Sequence, residues 1–255
     1  MFIISLFIFL SIGGVAAASG LFGPPQSVAK DTGGLHTGIG YWYHEDKYKN
    51  GADYVTRQNQ LYSEVGYGTK NYWDIFVRVG ITDLNVAGAF NSTSATTITG
   101  KNDFEENTNY FGAFGTKGYY PFDKKFGIGA FIQGTYYFRT FTDDLSGTSS
   151  GVPFIAELRV KNLWDVNFGI GFQAAVPYGI KMYLGPYVYY SEAKVSPSTH
   201  VTGLALASGE MTIKNKTSFG GFTGIEVPLA KGFRLNIEGQ YSERLSAGAA
   251  VTYSY

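Results

Sequence analysis

The chain has 255 residues with 20 basic and 20 acidic side chains, so its formal net charge is +0. It has no cysteine, which excludes disulfides, thiolate metal sites and cysteine nucleophiles. The balanced charge argues against a nucleic-acid partner, which needs a basic excess to displace counterions. Charged residues are only 16% of the chain, against 34 Gly, 20 Tyr and 20 Phe; soluble domains carry roughly 25% charge. This mixture suits a protein that meets lipid on one side and water on the other.

Met1 to Leu10 is almost wholly apolar, Ser11 to Gly14 is a flexible break, and Ala16-Ala17-Ala18 places small residues before Ser19. That is the layout of a secretory signal peptide cleaved between Ala18 and Ser19, although no basic residue precedes Lys30. Residues 19–33 are expected to form a short periplasmic segment, and residues 34–255 a single domain. Beyond residue 18 no window has the roughly 20 apolar residues of a spanning helix. A closed barrel is then the way to cross a membrane with every backbone polar group paired.

Period-two alternation runs through the domain. Leu61, Val65 and Tyr67 oppose Gln60, Glu64 and Gly66; Trp73, Ile75, Val77, Val79 and Ile81 alternate with Asp74, Phe76, Arg78, Gly80 and Thr82. Between Asn109 and Tyr120 aromatic and Gly residues fall in both registers, and the faces stay ambiguous. Phe126, Ile128, Ala130, Ile132, Tyr136 and Phe138 oppose Gln133, Thr135 and Arg139. From Phe154 to Ala174 one alternate set is apolar almost throughout, while the other carries Glu157, Arg159, Lys161 and Asp165. This reads as one long strand with an apolar face and a polar face. Phe233, Leu235, Ile237 and Tyr241 alternate with Arg234, Asn236, Glu238 and Gln240.

Connections alternate in length. Tight turns are expected at Thr69 to Asn71, Pro121 to Lys125, Val176 to Gly179 and Ala230 to Gly232. Long polar loops are expected at Asp46 to Thr56, Gly88 to Asn107, Asp143 to Gly151 and Val195 to Glu210. Together these predict an all-β, antiparallel up-and-down transmembrane β-barrel of about ten strands, with eight as the alternative. An even count leaves both termini periplasmic. Two aromatic belts are expected: Trp73, Tyr119, Tyr120, Phe126, Tyr178 and Phe233 beside the turns, and Tyr41, Tyr43, Tyr136, Phe138, Tyr187, Tyr189 and Tyr241 towards the loops.

The last strand ends in alternate Ala249, Val251, Tyr253 and Tyr255. This resembles the C-terminal strand by which outer-membrane proteins are recognised by the barrel-insertion machinery, with Val251, Tyr253 and Tyr255 as its signal. With the leader and the alternating strands, the chain resembles the small outer-membrane barrel superfamily of OmpA, OmpX and OmpW type. The resemblance covers Gly34 to Tyr255, rests on pattern, and implies fold and location. No peptidoglycan-binding domain is expected after the barrel.

Candidate chemistry is sparse. The three histidines, His36, His44 and His200, lack the Asp-x-His of omptin-type surface proteases and the His-x-Ser of barrel lipid A deacylases. A base without an orienting partner is weak ground for catalysis, so no enzyme, catalytic residue, cofactor or metal site is expected. Glu64, Arg78, Arg139, Glu157, Arg159, Lys161, Asp165, Arg234 and Glu238 are expected to line the lumen. About eight strands leave a bore just wide enough for side chains to fill, whereas an aqueous channel needs about 16–18. A plugged or very narrow lumen follows, with a structural or surface-loop interaction role; a narrow channel for small solutes is the alternative. Expected partners are outer-membrane lipid, the insertion machinery during assembly, and an extracellular or envelope partner at the loops; the oligomeric state stays open. On the outward face of the long strand, Val166→Arg at mid-membrane is expected to cost about 2–4 kcal/mol.

Overall fold

A barrel strand that spans a bilayer must put apolar side chains outside and pair its backbone on both flanks. The computed structural model describes residues 21–28, 33–50, 52–69, 72–90, 97–98, 101–149, 152–201, 204–207, 209–216, 218–243 and 245–255. The expected leader and its cleavage site lie outside the described residues. The strands are β1 (Gly34–Asn50), β2 (Ala52–Thr69), β3 (Trp73–Val86), β4 (Thr97–Ile98), β5 (Phe104–Pro121), β6 (Phe126–Tyr137) and β7 (Phe141–Ser149). They continue with β8 (Val152–Ala175), β9 (Lys181–Val201), β10 (Leu204–Ala207), β11 (Met211–Asn215), β12 (Phe219–Pro228), β13 (Phe233–Tyr241) and β14 (Leu245–Ser254).

Ten of them close a ring in the order β1, β2, β3, β5, β6, β8, β9, β12, β13, β14, with β14 pairing back to β1. All pairings are antiparallel, and each ring strand pairs with the next ring strand in the chain. Closure removes the exposed edges that an open sheet would present. The short strands β4, β7, β10 and β11 extend the ring at one end, where β7 lies along β8 and β11 bridges β9 to β1. The other end carries the tight turns. There Asp123 accepts the backbone N–H groups of Lys125 at 2.6 Å and Phe126 at 2.7 Å, and these donors hold its carboxyl below the ordinary carboxylate range.

Outside, an apolar band encircles the ring. Val65, Val77, Phe114, Ile132, Ile170, Leu184, Ile237 and Val251 are all exposed. Trp73, Tyr120, Phe126 and Phe233 bound it at the short-turn end, and Tyr41, Tyr110, Tyr136 and Tyr241 at the other. The expected belt residues Tyr187 and Tyr189 are instead buried in the bore, because β9 points its odd residues inward; its outward set is Met182, Leu184, Pro186 and Val188. Val166 pairs across with Tyr190, two residues from Trp164, so it sits beside the aromatic belt and not at mid-membrane. Val77 is centred between Trp73 and Ile81 and lies opposite Val65 and Phe114.

The abundance of Gly and of aromatics has a common cause. Large inward rings need a cross-strand neighbour without a side chain: Tyr62 lies over Gly40, Phe76 over Gly115, Phe131 over Gly169 and Tyr183 over Gly224. A Cβ at any of these glycines would collide with the facing ring. The ambiguous stretch of β5 resolves the same way, with Phe111 turned in against Gly80 while Tyr110 and Phe114 face out.

The strands run far past the membrane. β8 has 24 residues and β9 has 21, whereas a crossing needs about 9–11. Much of what the polar composition marks as loop is therefore paired: Asp46 to Asn50 and Asp53 to Thr56 continue the β1–β2 hairpin, and Asp143 to Ser149 pairs with β8. Beyond the membrane the outer surface meets water, and the ordinary polarity of a soluble protein returns, with Phe104, Phe141, Leu145, Phe154 and Val160 buried inside.

β8 makes this inversion at a bulge, so the single unbroken apolar face expected over Phe154 to Ala174 does not exist. The register with β9 shifts between Lys161 and Trp164, and Asn162 takes a left-handed backbone with φ 50. Before it Phe154, Ala156 and Val160 point in; after it Phe168, Ile170 and Phe172 point out. The extra residue lets one alternating sequence obey opposite rules in water and in lipid. A second shift, opposite Thr82 and Leu84, does the same for β5. Asn tolerates this backbone where a β-branched residue does not. Asn162→Val is expected to cost about 1–2 kcal/mol and Asn162→Gly little, as read from guanidinium unfolding in lipid vesicles.

Candidate functional site: the filled bore and its open cup

Because the lipid-facing side is apolar, polar residues of the crossing segments collect inside, where they must satisfy one another. Near the short turns, Asp74 of β3 accepts the ring Nε2 of His36 at 2.8 Å. Lys181 of β9 and Arg234 of β13 both reach Glu226 of β12, at 2.9 and 3.1 Å. One level further in, Arg78 of β3 donates to Glu64 of β2 at 2.7 Å and to Gln133 of β6 at 2.8 Å. Its guanidinium also stacks over Tyr62 and Phe76, 4.8 and 4.7 Å from the ring centroids.

The chain's own early residues occupy the space between these clusters. Leu21, Phe22 and Val28 are almost fully buried inside the ring, so the described part of the expected short N-terminal segment, residues 21–28, lies in the bore. Buried backbone needs partners, and the barrel supplies them. Glu238 accepts the N–H of Phe22 at 3.0 Å and of Gly23 at 2.9 Å; Asp74 accepts that of Val28 at 3.1 Å. Gln173 accepts from Gln26 at 3.2 Å, and Lys117 donates to the Pro24 carbonyl at 3.2 Å. Pro24 and Pro25 have no N–H to satisfy. Phe22 inserts among Phe131, Phe222 and Tyr187, with centroids 3.9, 5.4 and 5.6 Å away.

Above this plug lies a polar floor of His44, Asp46, Gln58, Tyr137, Asp165, Tyr189 and Ser191. Tyr189 donates to Asp46 at 3.2 Å, and the Tyr48 and Ser191 hydroxyls are 2.5 Å apart. The space among these groups is about 10 Å³, and that beside the plug about 20 Å³; a single water needs about 10–15 Å³. Above the floor, at the long-connection end, the bore widens into a cup of about 170 Å³. Leu84, Val86, Phe90, Val160, Leu163 and Ile213 dominate its wall.

No protein-family model matches the chain, and no curated protein does. The chain is similar in structure to the translocator domain of the autotransporter NalP from Neisseria meningitidis, at 12% identity over 87% of this chain and 88% of that one, TM-score 0.49. It is similar to the outer membrane protease OmpT from Escherichia coli, at 10% identity over 88% and 95%, TM-score 0.42. It is similar as well to Ail, the attachment invasion locus protein of Yersinia pestis, at 11% identity over 87% and 95%, TM-score 0.32. Identities this low assign no role.

The nine charges expected in the lumen divide into two groups. Glu64, Arg78, Asp165 and Glu238 are buried in the bore, and Arg234 joins them at its lower end. Arg139, Glu157, Arg159 and Lys161 are not brought together with them. Arg139 follows the end of β6 and is exposed, while the other three precede the Asn162 bulge and therefore lie on the water-facing side or rim. There Glu157 pairs with Arg159 at 2.8 Å and Lys161 reaches Glu210 at 3.5 Å. Sequence reasoning missed His36, Asp74, Lys117, Lys181 and Glu226 as bore residues, although His36 and Asp74 stand in the inward register of their strands. It also missed the plug, whose signal was Leu21-Phe22 followed by two prolines in a stretch otherwise read as polar.

Proposed function

We propose that the chain is an integral outer-membrane protein whose barrel does not conduct, and which works by binding at its long-connection end. The observation that carries this reading is the filled bore: among the described residues, plug, aromatic cluster and polar floor pack the stretch between the cup and the short-turn end, with spaces of only about 20 and 10 Å³ beside the plug and in the floor. Short turns and both barrel ends, Gly34 and Tyr255, share one end of the molecule, which supports a periplasmic placement for them. The long connections and the cup would then face the surroundings, where an extracellular or envelope partner meets them. The outward Val251, Tyr253 and Tyr255 would serve the insertion machinery. A non-enzymatic role belongs to the same reading.

Reconstituted in planar lipid bilayers, the full mature barrel is expected to give no discrete conductance steps. Reproducible openings by the purified protein would overturn the reading in favour of a narrow solute channel.

A further inference from the structure

The two ends of the barrel treat their lysines differently. At the long-connection end Lys47, Lys161, Lys194, Lys214 and Lys216 each lie 2.5–3.6 Å from a carboxylate oxygen of Glu243, Glu210, Glu192 or Asp53. The short turns follow the opposite rule. The connections β2–β3, β5–β6, β8–β9 and β12–β13 carry Lys70, Lys124, Lys125 and Lys231 against one acid, Asp123. Lys124, Lys125 and Lys231 are exposed and form no ion pair among the described residues. The Asp123 carboxylate is turned onto the backbone N–H groups of Lys125 and Phe126. Since the whole chain has no net charge, this positive rim comes from placement and not from composition.

The depth of the rim says what meets it. Each short turn also exposes a large apolar side chain: Tyr72, Phe122, Tyr178 and Leu229. They adjoin Trp73, Tyr120, Phe126 and Phe233, where the apolar band ends. Rings in that position sit at headgroup depth, and lysine stems can lie along them with the ammonium group among the lipid phosphates. We propose that the short-turn end is a docking surface for anionic phospholipid headgroups of the leaflet around it, held by Lys70, Lys124, Lys125 and Lys231. The protein supplies no counter-charge for these lysines beyond Asp123, and a phosphodiester supplies it. A zwitterionic headgroup brings its own cation to the same place and gains less. The leaflet is the source of the phosphate because the lysines border the band that lipid covers. The proposal needs only a barrel that spans a membrane; it stands or falls apart from conduction and from whatever the long connections bind.

Trp73 at the turn end and Trp164 at the other belt face outward, while Trp42 is buried in the bore. Trp164→Phe therefore leaves Trp73 as the lipid reporter, and Trp73→Phe leaves Trp164. Each full mature barrel is reconstituted in phosphatidylcholine vesicles with increasing phosphatidylglycerol whose brominated chains quench tryptophan on contact; brominated phosphatidylcholine is the reference. At low salt Trp73 is expected to select phosphatidylglycerol about fivefold, the scale of one lysine at a membrane surface, and Trp164 to select neither lipid. In about 1 M sodium chloride the preference is expected to vanish, because exposed charges are screened. Lys70→Gln with Lys124→Gln and Lys125→Gln is expected to abolish it at low salt. Lys231→Gln, on the far side of the ring, is expected to leave the Trp73 signal unchanged. Inorganic phosphate at matched ionic strength is expected to compete no better than chloride; stronger competition would mean an ion site and overturn the lipid surface. Equal binding of the two lipids at Trp73, the same preference at both tryptophans, or a triple variant that keeps the preference would overturn it as well.

Discussion

Arg78→Met is expected to destabilise the folded barrel by about 3–5 kcal/mol, the range for stranding one member of a buried ion pair. Arg78 and Glu64 are 4% and 7% exposed, so removing the guanidinium leaves a carboxylate that water cannot reach. The substitution also removes the stacking of the cation over Tyr62 and Phe76 and a donor to Gln133. Removing both charges is a different matter, since a neutral pair has no charge to desolvate. Glu64→Leu combined with Arg78→Met is expected to recover most of the loss. Guanidinium unfolding in lipid vesicles, followed by far-ultraviolet circular dichroism, measures each arm of this cycle. A loss for Arg78→Met below about 1 kcal/mol, the level of solvated pairs, would mean that water reaches Glu64. The filled-bore reading would then fall with it.

Val77→Arg is expected to cost about 2–4 kcal/mol, and Val166→Arg only about 0–1 kcal/mol, because the penalty for Arg on the lipid face is depth-dependent. Both residues belong to the outward register. What separates them is height: Val77 is flanked across the sheet by Val65 and Phe114, while Val166 lies against Tyr190 beside Trp164. From the latter position an Arg side chain can reach the headgroups with its stem along the aromatic rings. Refolding into vesicles with equal free-energy losses for the two variants would place the bilayer elsewhere on the barrel. A greater loss at Val166 would reverse the assignment of mid-membrane depth.

Much of the barrel was legible because alternation is a local property. In β3 the residues from Trp73 to Ile81 declare their faces by polarity, with the inward Phe76 the exception, and the same alternation holds for Phe233 to Tyr241 in β13. The short turns were legible because Pro121 and Pro177 fix φ where they stand and Gly232 can take the positive φ, 87, that its turn requires. Faces were misread where a residue type suits either side. Tyr187 and Tyr189 could serve a lipid belt or a packed bore, and Gly220 across the sheet is what makes room for the Tyr187 ring inside. Long polar stretches read as loops because composition reports contact with water, not hydrogen bonding. A strand that has left the membrane is polar outside like any soluble hairpin.

The candidate site was legible only in fragments. Glu64, Arg78, Asp165 and Glu238 stand in the inward register of their strands, so period two suffices to find them. Glu157, Arg159 and Lys161 share that apparent register with Asp165, and one bulged residue at Asn162 moves them to the other face. The cup could not be read at all, since its wall draws on β3, β8 and β11, which lie far apart in the chain.

The sequence by itself determined the class of fold: alternation along each strand is set by neighbours two residues apart, and polarity chooses which face meets lipid. An even strand count and a final aromatic strand also follow from order along the chain. Only the tertiary structure decided what fills the barrel. Closing the ring brings Leu21 to Val28 against Glu238 and Asp74, residues up to 216 positions away. Such pairings depend on distances across the bore, which come into being only when the last strand meets the first.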